Sequence, residues 1–253
     1  MKKNLYIVCL CGILLSVTAC TSLQPVFYER LQPADVNFPG PIRKVGIVNN
    51  MPPVHQDYKQ VDYKSASLEG DGDVATEAFA QEVVSVGYFD EVVLYDQRIR
   101  KTTNPLELPI PKHTTDDLIR KLDVDMLLSM ERVNVELKES FMFVPGSLGT
   151  VPAVDGVVTS VVRAYLKQRE EPLFTIQKTD TLCWEITPKL SYGDVIKDVS
   201  EYAAILPMQN LLPFWVEVER YYYDGGNVEM RDAGVEVSEF LEGDGKELIG
   251  GHC

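Results

Sequence analysis

The apolar positions of this chain change period several times, and those changes divide it into elements. Residues 42–49 (IRKVGIVN) are a short β-branched run behind a proline and read as a strand. Residues 50–72 are polar, hold Pro52 and Pro53, and read as a loop. Asp73 then suits a helix N-cap. Ala75, Ala78, Phe79, Val83 and Val86 recur at helical spacing, and Gly87 is the residue type that ends helices. Residues 91–95 (EVVLY) are the next strand, and a strand–helix–strand unit of this length pairs its strands in parallel.

A second loop, 97–113, holds Pro105, Pro109 and Pro111. Thr114 with Asp117 resembles a capping box and predicts a short helix through Leu122. Residues 125–137 (DMLLSMERVNVEL) predict a long strand whose second half alternates, with Val133, Val135 and Leu137 on one face. A Gly/Pro loop is expected at 144–156, strands at 157–166 and 173–186, and a turn at 169–172. Ser191 with Asp194 opens a helix carrying Val195, Val199, Tyr202, Ala203 and Leu206. Pro207 and Pro213 break or kink it, and residues 214–223 (FWVEVERYYY) are expected to continue as helix until Gly225 and Gly226. The predicted order is β-α-β-α-β-β-β-α. The fold class is α+β with an α/β start, a mixed sheet with helices packed over it.

Ahead of this domain, Lys2 and Lys3 precede an apolar run over residues 5–17. The run is shorter than the roughly 20 residues a spanning helix needs and suits a signal peptide. Its exit, Val17-Thr18-Ala19-Cys20, resembles a bacterial lipobox. The resemblance implies cleavage of residues 1–19 and acyl groups on Cys20, which would hold the chain to a membrane. Thr21 and Ser22 follow where inner-membrane lipoproteins of this type carry aspartate, so the expected location is the outer membrane, facing the periplasm. Residues 20–40 read as a proline-containing extended tether, 41–224 as the α/β domain, and 225–253 as a glycine-rich acidic tail.

Charge narrows the partners. Removing residues 1–19 removes Lys2 and Lys3 and no acid, which takes the formal net charge from −14 to −16. Nucleic acid is thereby excluded as a partner, because phosphate binding needs a basic patch. Beyond the leader and the anchor, Cys183 and Cys253 are the remaining cysteines, and a disulfide between them stays open. His55, His113 and His252 lack ligand spacing, so neither zinc nor another cofactor is expected.

The segment 33–49, with Pro33-Ala34-Asp35-Val36 and Lys44-Val45-Gly46-Ile47-Val48-Asn49, resembles a family of uncharacterised Bacteroidetes lipoproteins. Pro213-Phe214-Trp215-Val216 and Arg220-Tyr221-Tyr222-Tyr223 carry the same resemblance. The element order also resembles the α/β module of envelope lipoproteins such as the N-terminal domain of the Tol-Pal periplasmic component. Members of the lipoprotein family continue into helical repeats, whereas residues 234–253 hold five glycines, so a truncated or out-of-frame end is expected here.

Candidate chemistry is sparse. Asp71-Gly72-Asp73 with Glu77 lacks the alternating oxygen ligands of a calcium loop and reads as a loop with a helix cap. Glu131, Glu136 and Glu139 are carboxylates on one strand and are expected on a solvated face or edge, although Glu131 is out of register with the inward positions. No nucleophile elbow, zinc-protease motif or phosphate-cradling glycine loop is present. Trp215 and one or two of Tyr221, Tyr222 and Tyr223 are expected to pack on the sheet, and the others to cap the helix or meet a partner. Tyr58 and Tyr63, in a long loop, complete the candidate partner surface. The expected function is a non-catalytic interaction component of an envelope assembly; the alternative is a module that binds peptidoglycan or a small soluble ligand.

Overall fold

The strand at Lys44–Asn49 (β2) is interior to the sheet and pairs in parallel on both sides. The computed structural model describes residues 23–53, 65–102, 108–143 and 149–223. Helix α1 (Gly72–Val86) leads from β2 to β4 (Glu91–Leu94) on one flank. Helix α2 (Lys112–Leu122) leads back across to β5 (Met126–Phe143) on the other flank. From there the sheet is antiparallel, through β6 (Thr150–Leu166) and β7 (Phe174–Glu185), in the order β4-β2-β5-β6-β7. Helix α3 (Tyr192–Ile205) follows. The predicted mixed α+β sheet and its parallel opening unit are therefore present.

Two cores hold the layers together. On one face Phe79 and Val83 of α1 and Val195 and Val199 of α3 meet Met126, Leu128, Met130, Val133 and Val135 of β5. On the other face Leu118 and Ile119 of α2 meet Val48, Leu127 and Tyr165. The first six residues of β5 are buried on both faces, which explains why Met126, Leu127 and Leu128 follow one another without alternation.

Caps fix where the helices begin. Asp71, rather than Asp73, caps α1, accepting from Asp73 N at 2.9 Å and Val74 N at 3.3 Å. Gly87 closes α1 at φ 64°, a left-handed conformation that glycine adopts without strain. Ser191 and Asp194, read as the start of this helix, form a capping box at the head of α3. Helix α2 departs from expectation: it starts at Lys112 behind Pro111, and Asp117 pairs with Arg120 at 2.6 Å instead of capping the helix. The start of β2 is pinned by Asp125, whose Oδ2 accepts from Arg43 N and Lys44 N at 2.9 Å each. Those amides hold the Asp125 carboxyl below its ordinary range.

Four expectations are corrected. Residues 214–223 are not helix but the strand β8 (Phe214–Tyr223). Its half-buried Phe214, Val216 and Val218 alternate with exposed Trp215, Glu217, Glu219 and Tyr221, and aromatic and β-branched side chains favour such a pleat. The segment read as an extended tether contains β1 (Leu23–Gln32), which pairs with β8 in a two-stranded antiparallel ribbon. The loop 50–72 contains β3 (Ser65–Glu69), paired antiparallel with the outer half of β5. The loop 144–156 is largely strand, because β5 and β6 extend to Phe143 and Thr150. Pro152 is tolerated there because it lies past the last paired residue of β7.

Residues 33–214 form one compact unit, and the ribbon belongs to the other. No helix among the described residues is long and apolar enough to cross a membrane.

Gly70 joins β3 to α1, and its N–H donates to Val133 O at 2.8 Å. A Cβ there would lie 2.4 Å from Val133 Cγ1. Gly70→Ala should therefore lower the unfolding free energy by about 1–3 kcal/mol, read as a lower denaturant midpoint at unchanged m-value. An unchanged midpoint would show that this approach is not tight.

Candidate functional site

The parallel strands reverse their direction of progress at β2, with α1 on one face and α2 on the other. In open α/β sheets the crevice beyond the carboxyl ends of the strands at such a reversal is where ligands bind. Here that place is where β2 ends at Asn49 and β5 reaches Met130, two residues that are register partners. Asn50 N still donates to Met130 O at 2.9 Å. The register between β5 and β6 shifts between Met130 and Arg132, which makes Glu131 the extra residue of a β-bulge.

The bulge inverts the parity of β5. Before it Met126, Leu128 and Met130 face the α1/α3 core; after it Val133, Val135 and Leu137 do. Glu131 is turned toward the other face. Its side chain is 0% exposed, which corrects the expectation of a solvated face; Glu136 and Glu139 are exposed as expected.

Three segments of the chain converge on the Glu131 carboxylate. Asn50 Nδ2 donates to Oε2 at 2.6 Å, and Tyr165 OH donates to Oε1 at 2.9 Å. The Arg163 guanidinium stands 3.5 Å from Oε2. The Tyr165 oxygen in turn accepts from Ile110 N at 3.1 Å, which ties the segment before α2 into the cluster. Burial pushes the Glu131 carboxyl above its ordinary value of 4.5, while Asn50, Arg163 and Tyr165 pull it back. The upward push wins, because the carboxylate is fully desolvated and its cation is at 3.5 Å. Burial and the neighbouring carboxylate push the Tyr165 hydroxyl up as well.

Beside the cluster lies a groove of about 320 Å3, lined by Asn50, Ile99, Arg100, Leu108, Ile110 and Thr114 among others. Across the end of β2, Asn49 Nδ2 donates to Asp73 Oδ1 at 2.7 Å, and Arg98 pairs with the same oxygen at 3.2 Å. Asp71 and Asp73 thus serve a cap and an ion pair, as the loop-and-cap reading expects. Among the described residues no group of three or more potential ligands could hold a metal ion.

Trp215 and Tyr221 lie on β8, 53% and 61% exposed, so Trp215 does not pack on the sheet as expected. Tyr222 and Tyr223 also belong to β8. Cys20, Tyr58 and Tyr63 fall outside the described residues. Cys183 is a free, exposed thiol on β7, and Cys253 lies outside the described residues. Asn50, Arg163 and Tyr165 escaped the sequence reading. The one signal pointing to them was the broken alternation at Glu131.

Removing the carboxylate takes the acceptor from Asn50 and Tyr165 and a counter-charge from Arg163. Glu131→Ala should cost about 3–5 kcal/mol of stability, as for breaking a buried ion pair, measured by denaturant unfolding. The pH dependence has a definite sign. A folded-state pKa above 4.5 favours the protonated acid, so its contribution is complete below the ordinary value and is lost as pH rises through the raised one. Stability of the parent relative to Glu131→Gln should fall across that interval, and a pH-independent difference would contradict the upward shift.

The family model described as domain of unknown function (DUF8603) matches residues 42–223. No curated protein matches the chain. Among solved structures, it is similar to a PelC dodecamer from Paraburkholderia phytofirmans at 13% identity and TM-score 0.33, over 76% of this chain and 99% of that one. A point-substituted variant of the PelC dodecamer from the same organism gives 12% identity and TM-score 0.32, over 74% and 99% of the two chains. The family match spans the whole sheet with its helices and ends at the last residue of β8, and the chain belongs to the family of DUF8603.

Proposed function

We propose that this protein is an exported, lipid-anchored interaction component of a bacterial cell envelope and is not a catalyst. The anchor is Cys20, and the location is the outer membrane, facing the periplasm. The observation that carries this reading is the face of the β1/β8 ribbon. Arg220 Nε donates to Tyr28 OH at 3.4 Å, so the even-numbered side chains over 26–32 and 214–220 share one face. The odd-numbered face then holds Phe27, Leu31, Trp215 and Tyr221, between 50% and 61% exposed, with Glu29, Glu217 and Glu219 among them. Large apolar side chains concentrated on an exposed face are characteristic of contact surfaces. The interspersed carboxylates suit a protein partner with basic and apolar groups. Its position also supports the reading, because β1 starts three residues after Cys20. That is a reach of at most about 11 Å.

A second reading, a module for a small soluble ligand, is supported by the groove beside Asn50 and by its place at the topological reversal.

The first reading expects a mature chain that starts at Cys20 and carries acyl mass, and Cys20→Ser should abolish both on mass spectrometry. In-cell cross-linking of the acylated protein should retain one or two reproducible envelope proteins, and Trp215→Ala with Tyr221→Ala should lose them without loss of folding. An unacylated N-terminus would refute the anchor. Retention unchanged by the double substitution would refute the ribbon as the contact.

A further inference from the structure

We propose that β7 is a dimerisation strand, along which two copies of this chain pair antiparallel about a twofold axis at Thr179. The inner edge of β7 pairs with β6 from Ala153 to Ala164. Its outer edge ends the sheet, and no strand among the described residues pairs with it. The opposite edge of the sheet, β4, is four residues long, whereas β7 is twelve. A long, regular edge strand is a template for another chain.

The sequence of β7 says which chain fits. Antiparallel pairing of two identical strands about Thr179 places residues equally far before and after it opposite one another. Lys178 then faces Asp180 of the second copy, and the twofold repeats the pair. Ile176 faces Leu182 and Phe174 faces Trp184, apolar against apolar. These lie on the side of β7 that packs toward the α1/α3 core. On the other side Gln177 faces Thr181, Thr175 faces Cys183, and Thr179 faces itself, all exposed. The neighbouring centres fail. Centring on Lys178 sets lysine on lysine and Ile176 against Asp180. Centring on Asp180 sets aspartate on aspartate and Lys178 against Leu182. Like charges directly opposite destabilise a strand pair, and opposite charges support it. Asp180 is already positioned at the edge, accepting the Tyr202 hydroxyl from α3 and Thr181 N. The product is an isologous, closed dimer in which the two sheets become continuous. One strand pair buries little area, below the roughly 1,200 Å2 that marks weak encounters, so cross-linking suits it better than equilibrium sizing.

The test uses the full-length chain, extracted in detergent, with Cys183 and Cys253 replaced by serine. Any cysteine retained from residues 1–20 is common to all samples, and this parent sets the baseline. Paired Cα atoms in antiparallel strands lie about 4.5–5.5 Å apart, within disulfide reach. Under mild oxidation Thr179→Cys should form covalent dimer severalfold above the parent. Thr175→Cys should not, because residue 175 meets residue 183; with Cys183 restored it should cross-link as well as Thr179→Cys. Lys178→Asp should lower the Thr179→Cys yield severalfold, and adding Asp180→Lys should bring it back. The proposal is overturned if Thr179→Cys dimerises no more than the parent, if Thr175→Cys alone cross-links equally well, or if the charge exchange fails to restore the yield. The far-UV circular dichroism of each variant identifies any that fail to fold, and the restored double exchange is unaffected by such a failure.

Discussion

A carboxylate with no access to water is the constraint to which the rest of this sheet is fitted. Desolvating a carboxylate costs several kcal/mol even after relaxation, so Glu131 is tolerable only where donors already surround it. Those donors come from the end of β2, from β6 and, through Tyr165, from the segment that leads into α2. The bulge that places Glu131 among them also sets the parity of the rest of β5. Without the extra residue, Val133, Val135 and Leu137 would turn away from α1 and α3, and the long strand could serve the core over only half its length. One irregularity thus aligns two otherwise incompatible hydrophobic runs and marks where the parallel half of the sheet becomes antiparallel. The network is cooperative in the sense that each partner removes the penalty of the others.

Elements that specify themselves locally were legible in the sequence. Helix α1 announces its apolar face and its stop, and α3 its apolar face and its start. The β-α-β opening follows from spacing alone. What was not legible depends on partners far away in the chain. The strand β3 is five ordinary residues, SASLE, that become a strand because β5 offers an unpaired edge beyond the end of β2. The segment 214–223 alternates as a strand should, yet its neighbour is β1, and the bonded pair Tyr28 and Arg220 lie 192 residues apart. Pro213 beside a helical run suggested continuation instead. The burial of Glu131 was half visible: the broken alternation showed an anomaly, but only the convergence of Asn50, Arg163 and Tyr165 shows that the carboxylate is enclosed.

The electrostatics divide along the same lines. Lys44, Glu91 and Asp123 form ion pairs that are solvated and contribute little. The charges that carry structural information are few and placed at junctions. Asp125 gathers the first amides of β2, Asp71 caps α1 just after β3, and Asp73 draws Arg98 and Asn49 together across the end of β2. Each joins segments from different parts of the chain, which is how a strongly acidic domain keeps a defined crevice at its centre.

The antiparallel pairing of β1 with β8 brings Leu23 and Tyr223 to the same end of the ribbon. Everything between the two strands is therefore a loop hanging from a two-stranded clasp. Tension applied between residue 23 and residue 223 would open that clasp one hydrogen bond at a time, as in a zipper, before any load passed through the six-stranded sheet. The ribbon is in this sense a mechanical fuse, and the buried carboxylate at the heart of the domain lies outside the line of force until the clasp has opened.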